Sequence, residues 1–184
     1  VIEHVKENNS SIHLVGLLSD GGVHSHINHL FALLDMVKKF DLKKVYVHIF
    51  TDGRDVSPTS GIKYIELLEK YMKKIGIGKI ASIGGRYYGM DRDNNFDRIE
   101  KCYDAMVIGT EVKEAKEVWK NSQSNGITDE FIIPTTTYKD GLIRDNDGII
   151  FFNFRPDRLR ELASVFTNSE YKCFDRNKID NLLV

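Results

Sequence analysis

Cysteine is scarce in this 184-residue sequence, which contains only Cys102 and Cys173. Two cysteines are too few for a disulfide framework, and these two lack the close spacing of zinc-binding pairs. We therefore expect two reduced thiols, which are typical of a cytoplasmic protein. Long apolar runs are also missing, and no signal peptide opens the sequence, so we expect no membrane partner.

Neither sign of charge dominates, because 26 Lys and Arg residues stand against 27 Asp and Glu residues. Domains that bind nucleic acid usually carry a strong basic field, so a nucleic-acid partner is not expected. The length suits one domain with a real core. The first residue is Val1 rather than methionine, and we interpret the chain as a piece of a longer protein.

Short apolar runs alternate with segments of helical periodicity. The runs predict strands at residues 12–18, 45–50, 79–83 and 149–153. Nearly continuous apolar strands are typical of parallel sheets that are buried on both faces. Helices are predicted at residues 25–40, 59–75, 95–107, 111–122 and 156–166. This alternation predicts an α/β fold, with a mostly parallel sheet and helices on both faces, in a single three-layer domain.

Three segments do not follow the alternation. Residues 1–10 are interpreted as the end of a helix. Residues 131–135 predict a short extended piece, and Pro134 argues against a central strand there. The final segment, 167–184, is polar and weakly patterned, so little order is predicted for it.

Arginines are concentrated in the loops that follow the predicted strands. In a parallel sheet these loops meet at the carboxyl edge, where ligands bind. The candidate residues of this edge are His24, Arg54, Asp55, Arg86, Arg92, Arg155 and Arg158. Five arginines would repel one another unless an anion bound among them, and guanidinium groups suit phosphates and carboxylates. A small phosphorylated carboxylic acid, with about three negative charges, fits this set once the charges of Asp55 and Asp91 are subtracted.

Other interpretations of the same residues remain open. Any single arginine could form a surface ion pair, and Asp55 could orient Arg54 instead of moving a proton to or from a substrate hydroxyl. The imidazoles of His24, His26 and His29 would suit zinc, but no cysteine or carboxylate stands in matching register. We therefore predict no metal site in this chain.

Two rival functions also share parts of the pattern. A doubly wound nucleotide-binding domain would have the same alternation, but the first loop lacks the Gly-x-Gly-x-x-Gly pattern and no Walker lysine is present. The pair Gly21–Gly22 could cradle a phosphate, although two glycines alone are a weak signal. A scaffold domain would leave the five arginines unexplained unless they are scattered over the surface.

Five strings occupy these loops in order: SDGGVHSH at 19–26, TDGRD at 51–55, GGRYYGMDRD at 84–93, DEF at 129–131 and FFNFRPDR at 151–158. Together they resemble the cofactor-independent (2,3-bisphosphoglycerate-independent) phosphoglycerate mutases. The order of the strings is that of the family, and they extend over most of the chain.

The resemblance implies an enzyme of two domains. One belongs to the alkaline phosphatase superfamily and carries two divalent metal ions, usually manganese, and a serine nucleophile. The other, inserted into it, is the substrate-binding or phosphotransferase domain, and residues 1–184 resemble only this one. The phosphatase-like domain is then the expected partner in cis, and no cofactor is expected within this chain.

The implied reaction is the interconversion of 3-phosphoglycerate and 2-phosphoglycerate, a step of glycolysis in the cytoplasm. It would proceed through a phosphoserine formed on the missing domain, so the chain alone is expected to be inactive. This enzyme is an isomerase, and the phosphoglycerate is the expected small-molecule partner of this chain.

The resemblance also implies roles for the matched residues. His24 would hydrogen-bond the phosphoryl group or the transferring oxygen. Arg54 and Asp55 would hold the glycerate, with Asp55 as the catalytic general base and acid. The other four arginines would bind the anionic groups, Arg86 and Arg92 the carboxylate and Arg155 and Arg158 the phosphate. The residues alone do not decide which arginine binds which anion.

Overall fold

A computed structural model describes all residues from Val1 to Val184. Its strands are β1 (Ile12–Leu18), β2 (Val45–Thr51), β3 (Lys79–Gly85), β4 (Thr135–Thr136) and β5 (Gly148–Phe151). Its helices are α1 (Ile2–Glu7), α2 (Ile27–Lys39), α3 (Gly61–Ile75), α4 (Arg86–Gly89), α5 (Phe96–Tyr103), α6 (Ala115–Ser124) and α7 (Arg160–Thr167). A π-helical turn, Asp104–Ile108, extends α5, and short 3-10 turns span Asp129–Phe131 and Lys139–Gly141.

The five strands form one sheet in the order β4-β3-β2-β1-β5. Strand β1 pairs in parallel with β2 and β5, and β2 pairs in parallel with β3. Only β4 is antiparallel, at the edge beside β3. Because β2 and β5 lie on opposite sides of β1, the strand order changes direction there, which opens a crevice beyond the carboxyl ends of β1 and β5.

Side chains of each central strand alternate between two cores. In β1, Leu14 and Leu18 belong to the core beneath α1, α2, α3 and α6, whereas Val15 and Leu17 belong to the core beneath α5 and α7. Both faces of the sheet are therefore covered by helices, which confirms the predicted three-layer α/β fold. No helix in residues 1–184 combines the length and apolar character needed to cross a membrane.

Several local predictions differ from the structure. Helix α7 begins at Arg160 rather than at Pro156, because a turn intervenes in which the Leu159 N–H donates to the Pro156 carbonyl over 3.0 Å. The final segment is also more ordered than its pattern predicts. Phe174 packs against the second core, and the Ile149 N–H donates to the carbonyl of Leu183 over 2.8 Å.

Asp129 joins three parts of the fold. Ser60 precedes α3 but makes no side-chain cap hydrogen bond. Instead the Gly61 N–H donates to Asp129 Oδ2 over 2.6 Å, and the Trp119 indole of α6 donates to Asp129 Oδ1 over 2.6 Å. This buried carboxylate therefore fixes the start of α3, the side of α6 and the turn that follows it.

Candidate active site at the carboxyl edge of the sheet

Asp52 is the buried anchor of this edge. It follows β2 directly, and its Oδ2 accepts a hydrogen bond of 2.7 Å from the Ser19 hydroxyl after β1. Its Oδ1 accepts the backbone N–H groups of Arg54 (3.1 Å) and Asp55 (2.9 Å) and the Nη1 of Arg86 (2.7 Å). Burial alone would raise the pKa of Asp52, but these hydrogen bonds and the Arg86 charge hold the pKa below its usual value.

Arg86 bridges two carboxylates. It follows β3, and its Nη1 also donates to Asp55 Oδ2 over 2.7 Å. The Arg86 side chain is only 3% exposed, whereas that of Asp55 is 15% exposed. Burial would lower the pKa of Arg86, yet both carboxylates raise it. Arg86 is therefore a fixed cation, and Asp55 is held beside it with one side open to a ligand.

His24 lies in the crevice between the ends of β1 and β5. Its carbonyl accepts the Arg155 N–H over 3.2 Å, which ties the two loops together. Its ring Nδ1 is 3.5 Å from Asp157 Oδ1. Burial and the charge of Arg86 lower the pKa of His24, against the opposite effect of nearby carboxylates. The imidazole is therefore mainly neutral at pH 7.

Asp157 pairs with arginines of two loops. Its Oδ2 accepts a hydrogen bond from Arg92 Nη1 over 2.8 Å, and its Oδ1 lies 3.0 Å from Arg155 Nε. Both arginines are almost half exposed, at 45% and 48%. This side of the site is therefore open to solvent, unlike the side that contains Arg86.

Arg158 completes the group of cations and has no carboxylate partner. Its Nη1 lies 3.4 Å from the Met90 carbonyl. Burial is the largest cause of the lowered pKa of Arg158, and the positive charges of Arg92, Arg86 and Arg54 lower this pKa further. The guanidinium groups from separate loops therefore lie close enough to repel one another, as expected of cations that converge on one anion-binding site.

Arg54 faces the turn that contains Glu130. Arg54 Nη1 is 3.5 Å from Glu130 Oε1, and Arg54 is 58% exposed. The turn fits closely against the strand ends: a Cβ at Gly85 would lie 2.1 Å from the Glu130 carbonyl oxygen. Glycine at position 85 is therefore required for Glu130 to reach Arg54.

The structure brings all seven residues chosen from the sequence to one edge of the sheet. The histidines at the start of α2 do not join them. His26 instead caps α2 by accepting the Asn28 N–H, and His29 is exposed. No group of three or more His, Cys, Asp or Glu in residues 1–184 could hold a metal ion. Gly21 lets the first loop lie against Asp55, since a Cβ there would approach that residue to 3.1 Å.

Sequence reasoning missed the carboxylates that hold the cations. These are Asp52, Glu130 and Asp157. All three lie within the five strings: Asp52 in TDGRD, Glu130 in DEF and Asp157 in FFNFRPDR. The strings therefore contained the signal for these carboxylates.

The sequence matches the family described as BPG-independent PGAM N-terminus over residues 1–184. The 2,3-bisphosphoglycerate-independent phosphoglycerate mutase of Clostridium perfringens (strain SM101) is 52% identical over 184 residues, which are 97% of this chain and 36% of that protein. The enzyme of the same name from Listeria welshimeri is 51% identical over 179 residues, which are 94% of this chain and 35% of that protein.

A solved structure gives the same result. The crystal structure of Leishmania mexicana phosphoglycerate mutase at low cobalt concentration matches with a TM-score of 0.92 and 31% identity, over 99% of this chain and 36% of that one. The chain thus spans about a third of the length of the relatives it matches. Because the family match covers every residue, the chain belongs to the BPG-independent phosphoglycerate mutase N-terminal family.

Proposed function

We propose that residues 1–184 are the substrate-binding (phosphotransferase) domain of a 2,3-bisphosphoglycerate-independent phosphoglycerate mutase. In this proposal the full-length isomerase interconverts 3-phosphoglycerate and 2-phosphoglycerate in glycolysis. The observation that carries the proposal is the convergence of five arginines beside Asp55 at one strand edge, in a chain that belongs to this family.

The charge of the site suits the substrate. Arg86 is neutralised by Asp52 and Asp55, but Arg158 has no anionic partner and Arg92 shares one carboxylate with Arg155. The edge therefore keeps an excess of positive charge on its open side. A phosphoglycerate, with a carboxylate and a phosphate that is mostly dianionic near pH 7, would be attracted to that excess.

In the proposed reaction, a residue of this chain transfers the protons of the substrate hydroxyl groups. The bond from the substrate oxygen to phosphorus breaks as a bond from a serine oxygen forms, and the phosphoryl group later returns to the other hydroxyl. Asp55 would give a proton to the first substrate oxygen and take one from the second. The open side of Asp55 and its fixed contact with Arg86 support this role.

Several charged contacts would keep the glycerate in place while it reorients. His24, neutral near pH 7, would hydrogen-bond the transferring oxygen or the phosphoryl group, and Arg54 would hold the glycerate. The remaining arginines would bind the anionic groups, Arg86 and Arg92 the carboxylate and Arg155 and Arg158 the phosphate. Many positioning contacts suit a bound intermediate that must turn without leaving.

The serine nucleophile and two divalent metal ions, manganese by resemblance, are placed by this proposal in a phosphatase-like domain of the alkaline phosphatase superfamily. Residues 1–184 offer no fitting metal ligands, so we derive no metal step from them. That domain is the proposed partner in cis. A cytoplasmic location is also proposed, and the two unpaired cysteines support it.

The test is turnover of 3-phosphoglycerate by the full-length protein, followed by ³¹P NMR with a divalent metal ion present and 2,3-bisphosphoglycerate absent. We expect 2-phosphoglycerate to appear. The 184-residue chain, measured in parallel, should give none, because the serine would lie outside it. Absence of turnover by the full-length protein would contradict the proposal, and titration with nucleotides would then examine the nucleotide-binding alternative.

A further inference from the structure

One carboxylate of this chain already occupies an anion position. Asp157 contacts Arg92 at 2.8 Å, Arg155 at 3.0 Å and His24 at 3.5 Å. These groups come from the loops after three different strands. Guanidinium groups that converge from separate loops normally hold an anionic ligand, and here the anion that they hold belongs to the protein.

The carboxylate of Asp157 is not fully hydrogen-bonded. Its Oδ1 is buried without a hydrogen bond of good geometry, and so is the Nδ1 of His24, although the two atoms are 3.5 Å apart. Asp52 differs, because both of its oxygens accept hydrogen bonds of normal length. A buried polar atom without a partner favours any rearrangement that supplies one.

The position of Asp157 in the chain permits such a rearrangement. It lies in the turn before α7, outside any helix or strand, and its side chain is 28% exposed. Asp52, by contrast, is 1% exposed and accepts two backbone N–H groups of its own loop. Asp157 can therefore leave its arginines by a local change in one turn, whereas Asp52 cannot.

The neighbouring charge favours an incoming ligand of higher charge. Arg158 has no carboxylate partner, and the charges of Arg92, Arg86 and Arg54 lower its pKa. Arg92, Arg155 and Arg158 therefore have only the carboxylate of Asp157 among them, which leaves these three arginines under-neutralised. A dianion would gain roughly twice the Coulomb attraction of a monoanion at the same distance.

We propose that Asp157 is a specificity-determining residue: it is an internal counter-anion of Arg92 and Arg155 that yields Arg155 to a phosphate dianion and excludes singly charged anions such as chloride. A tethered carboxylate competes at a high effective concentration, so a dissolved monoanion displaces it poorly. The identity of the displacing ligand as phosphoglycerate rests on the proposed function, but the anion selectivity does not.

The test compares the full-length protein with Asp157→Asn, which keeps the shape of the side chain and removes its charge. We expect chloride to inhibit the variant at about tenfold lower concentration than the wild type, the size of one charge-assisted contact in a partly exposed site. The KM for 3-phosphoglycerate at low chloride should fall about threefold. Asp157→Glu should restore the exclusion of chloride.

Asp93→Asn is the matched control. Asp93 is exposed on the same edge and pairs with no arginine, so its substitution removes the same charge without freeing Arg92 or Arg155. The control should leave chloride inhibition unchanged. If Asp157→Asn instead raises the KM and leaves chloride inhibition unchanged, Asp157 only supports the arginines and the proposal is wrong.

A binding measurement separates this inference from the proposed reaction. The ¹³C-labelled ring of His24, which faces Asp157, reports anions at this position by NMR. Inorganic phosphate should shift its signal in the wild type, and chloride should shift it in Asp157→Asn at about tenfold lower concentration than in the wild type. If this holds in a protein without mutase activity, the proposed function fails alone. If chloride acts equally on both proteins, the inference fails alone.

Discussion

Two polar networks cross this sheet, one through its interior and one along its carboxyl edge. In the interior, His13 Nε2 lies 3.1 Å from Asp147 Oδ2, and His13 Nδ1 lies 3.0 Å from His48 Nε2. His48 Nδ1 in turn lies 2.8 Å from the Ser82 hydroxyl. The edge network joins Asp52, Arg86 and Asp55 in the same way.

The interior network contains the residue types of a hydrolytic triad, yet no ligand can reach it. Both imidazoles are fully buried, and burial lowers the pKa of His13 and, more strongly, that of His48. They lie within β1 and β2, whereas Asp52 and Asp55 follow the end of β2. The comparison shows that position along the strand, rather than residue type, decides which polar group can meet a substrate.

The largest expected effect comes from Asp55→Asn in the full-length protein. If Asp55 moves the substrate proton, kcat should fall by about a thousandfold, while KM changes far less. Steady-state kinetics by ³¹P NMR measures both. The control is Asp20→Asn, which alters an exposed carboxylate in the neighbouring loop. Unchanged turnover in Asp55→Asn would remove Asp55 from the mechanism.

The next effect is on stability, from Arg86→Met. This substitution leaves two carboxylates, Asp52 and Asp55, without their buried cation, and it should lower the free energy of unfolding by about 3 kcal/mol. Urea denaturation measures the change. Arg160→Met is the control, since Arg160 is exposed and forms no ion pair, and it should stay within about 0.5 kcal/mol of the wild type.

His48→Leu tests the interior network. It leaves Ser82 and one nitrogen of His13 without partners, so the free energy of unfolding should fall by about 2 kcal/mol. Because the network lies away from the edge, the KM for 3-phosphoglycerate should remain unchanged in the folded variant. A large rise in KM without loss of stability would show that the two networks are coupled.

Acidification should weaken the interior before the edge. Burial holds the pKa values of His13 and His48 below the ordinary value of about 6.5 in the folded state, so below that pH the unfolded chain binds more protons. Their contribution to stability is fully present above about pH 6.5 and is lost as the pH falls from there towards the lower folded pKa values.

Urea titrations at a series of pH values between 7.5 and 5 measure this loss. The slope of the free energy of unfolding against pH reports the number of protons that the chain takes up on unfolding. This number should be smaller by up to one in His48→Leu than in the wild type. Equal slopes in His48→Leu and the wild type would contradict the assignment of the acid response to the interior histidines.

The smallest effect is expected at the exposed rim. Arg54→Lys keeps the charge but loses the planar fork that faces Glu130, and it should raise the KM by about threefold with little change in stability. Lys63→Arg, at an exposed position paired with Asp20, is the control for a change of cation type. A KM unchanged in Arg54→Lys would mean that Arg54 acts only as a point charge.

The sequence was sufficient for the sheet and not for the contacts of its edge. The predicted strand at 79–83 extends to Gly85, and the strand at 12–18 has the predicted bounds, because buried parallel strands are continuous apolar runs. The same rule placed the arginines on one edge. It gave no pairs such as Arg92 and Asp157, which are 65 residues apart and meet only after folding.

The interior histidines escaped prediction for a related reason. His13 and His48 stand inside apolar runs, and nothing in the local pattern indicates that they face each other across adjacent strands. The strand register brings His13 beside Tyr46 and puts Val15 opposite His48, a relation that spacing along the chain cannot supply. Tertiary packing sets which residues of adjacent strands lie beside each other, and no periodicity in a single sequence indicates these pairs.

The contact of Trp119 with Asp129 gives the molecule a built-in optical probe. Trp119 is the only tryptophan, and its indole donates to the carboxylate that adjoins Glu130, the partner of Arg54. Any ligand that draws Arg54 away and shifts this turn would alter the polarity around a single fluorophore. Emission from the unlabelled protein can therefore follow events at the edge of the sheet in real time.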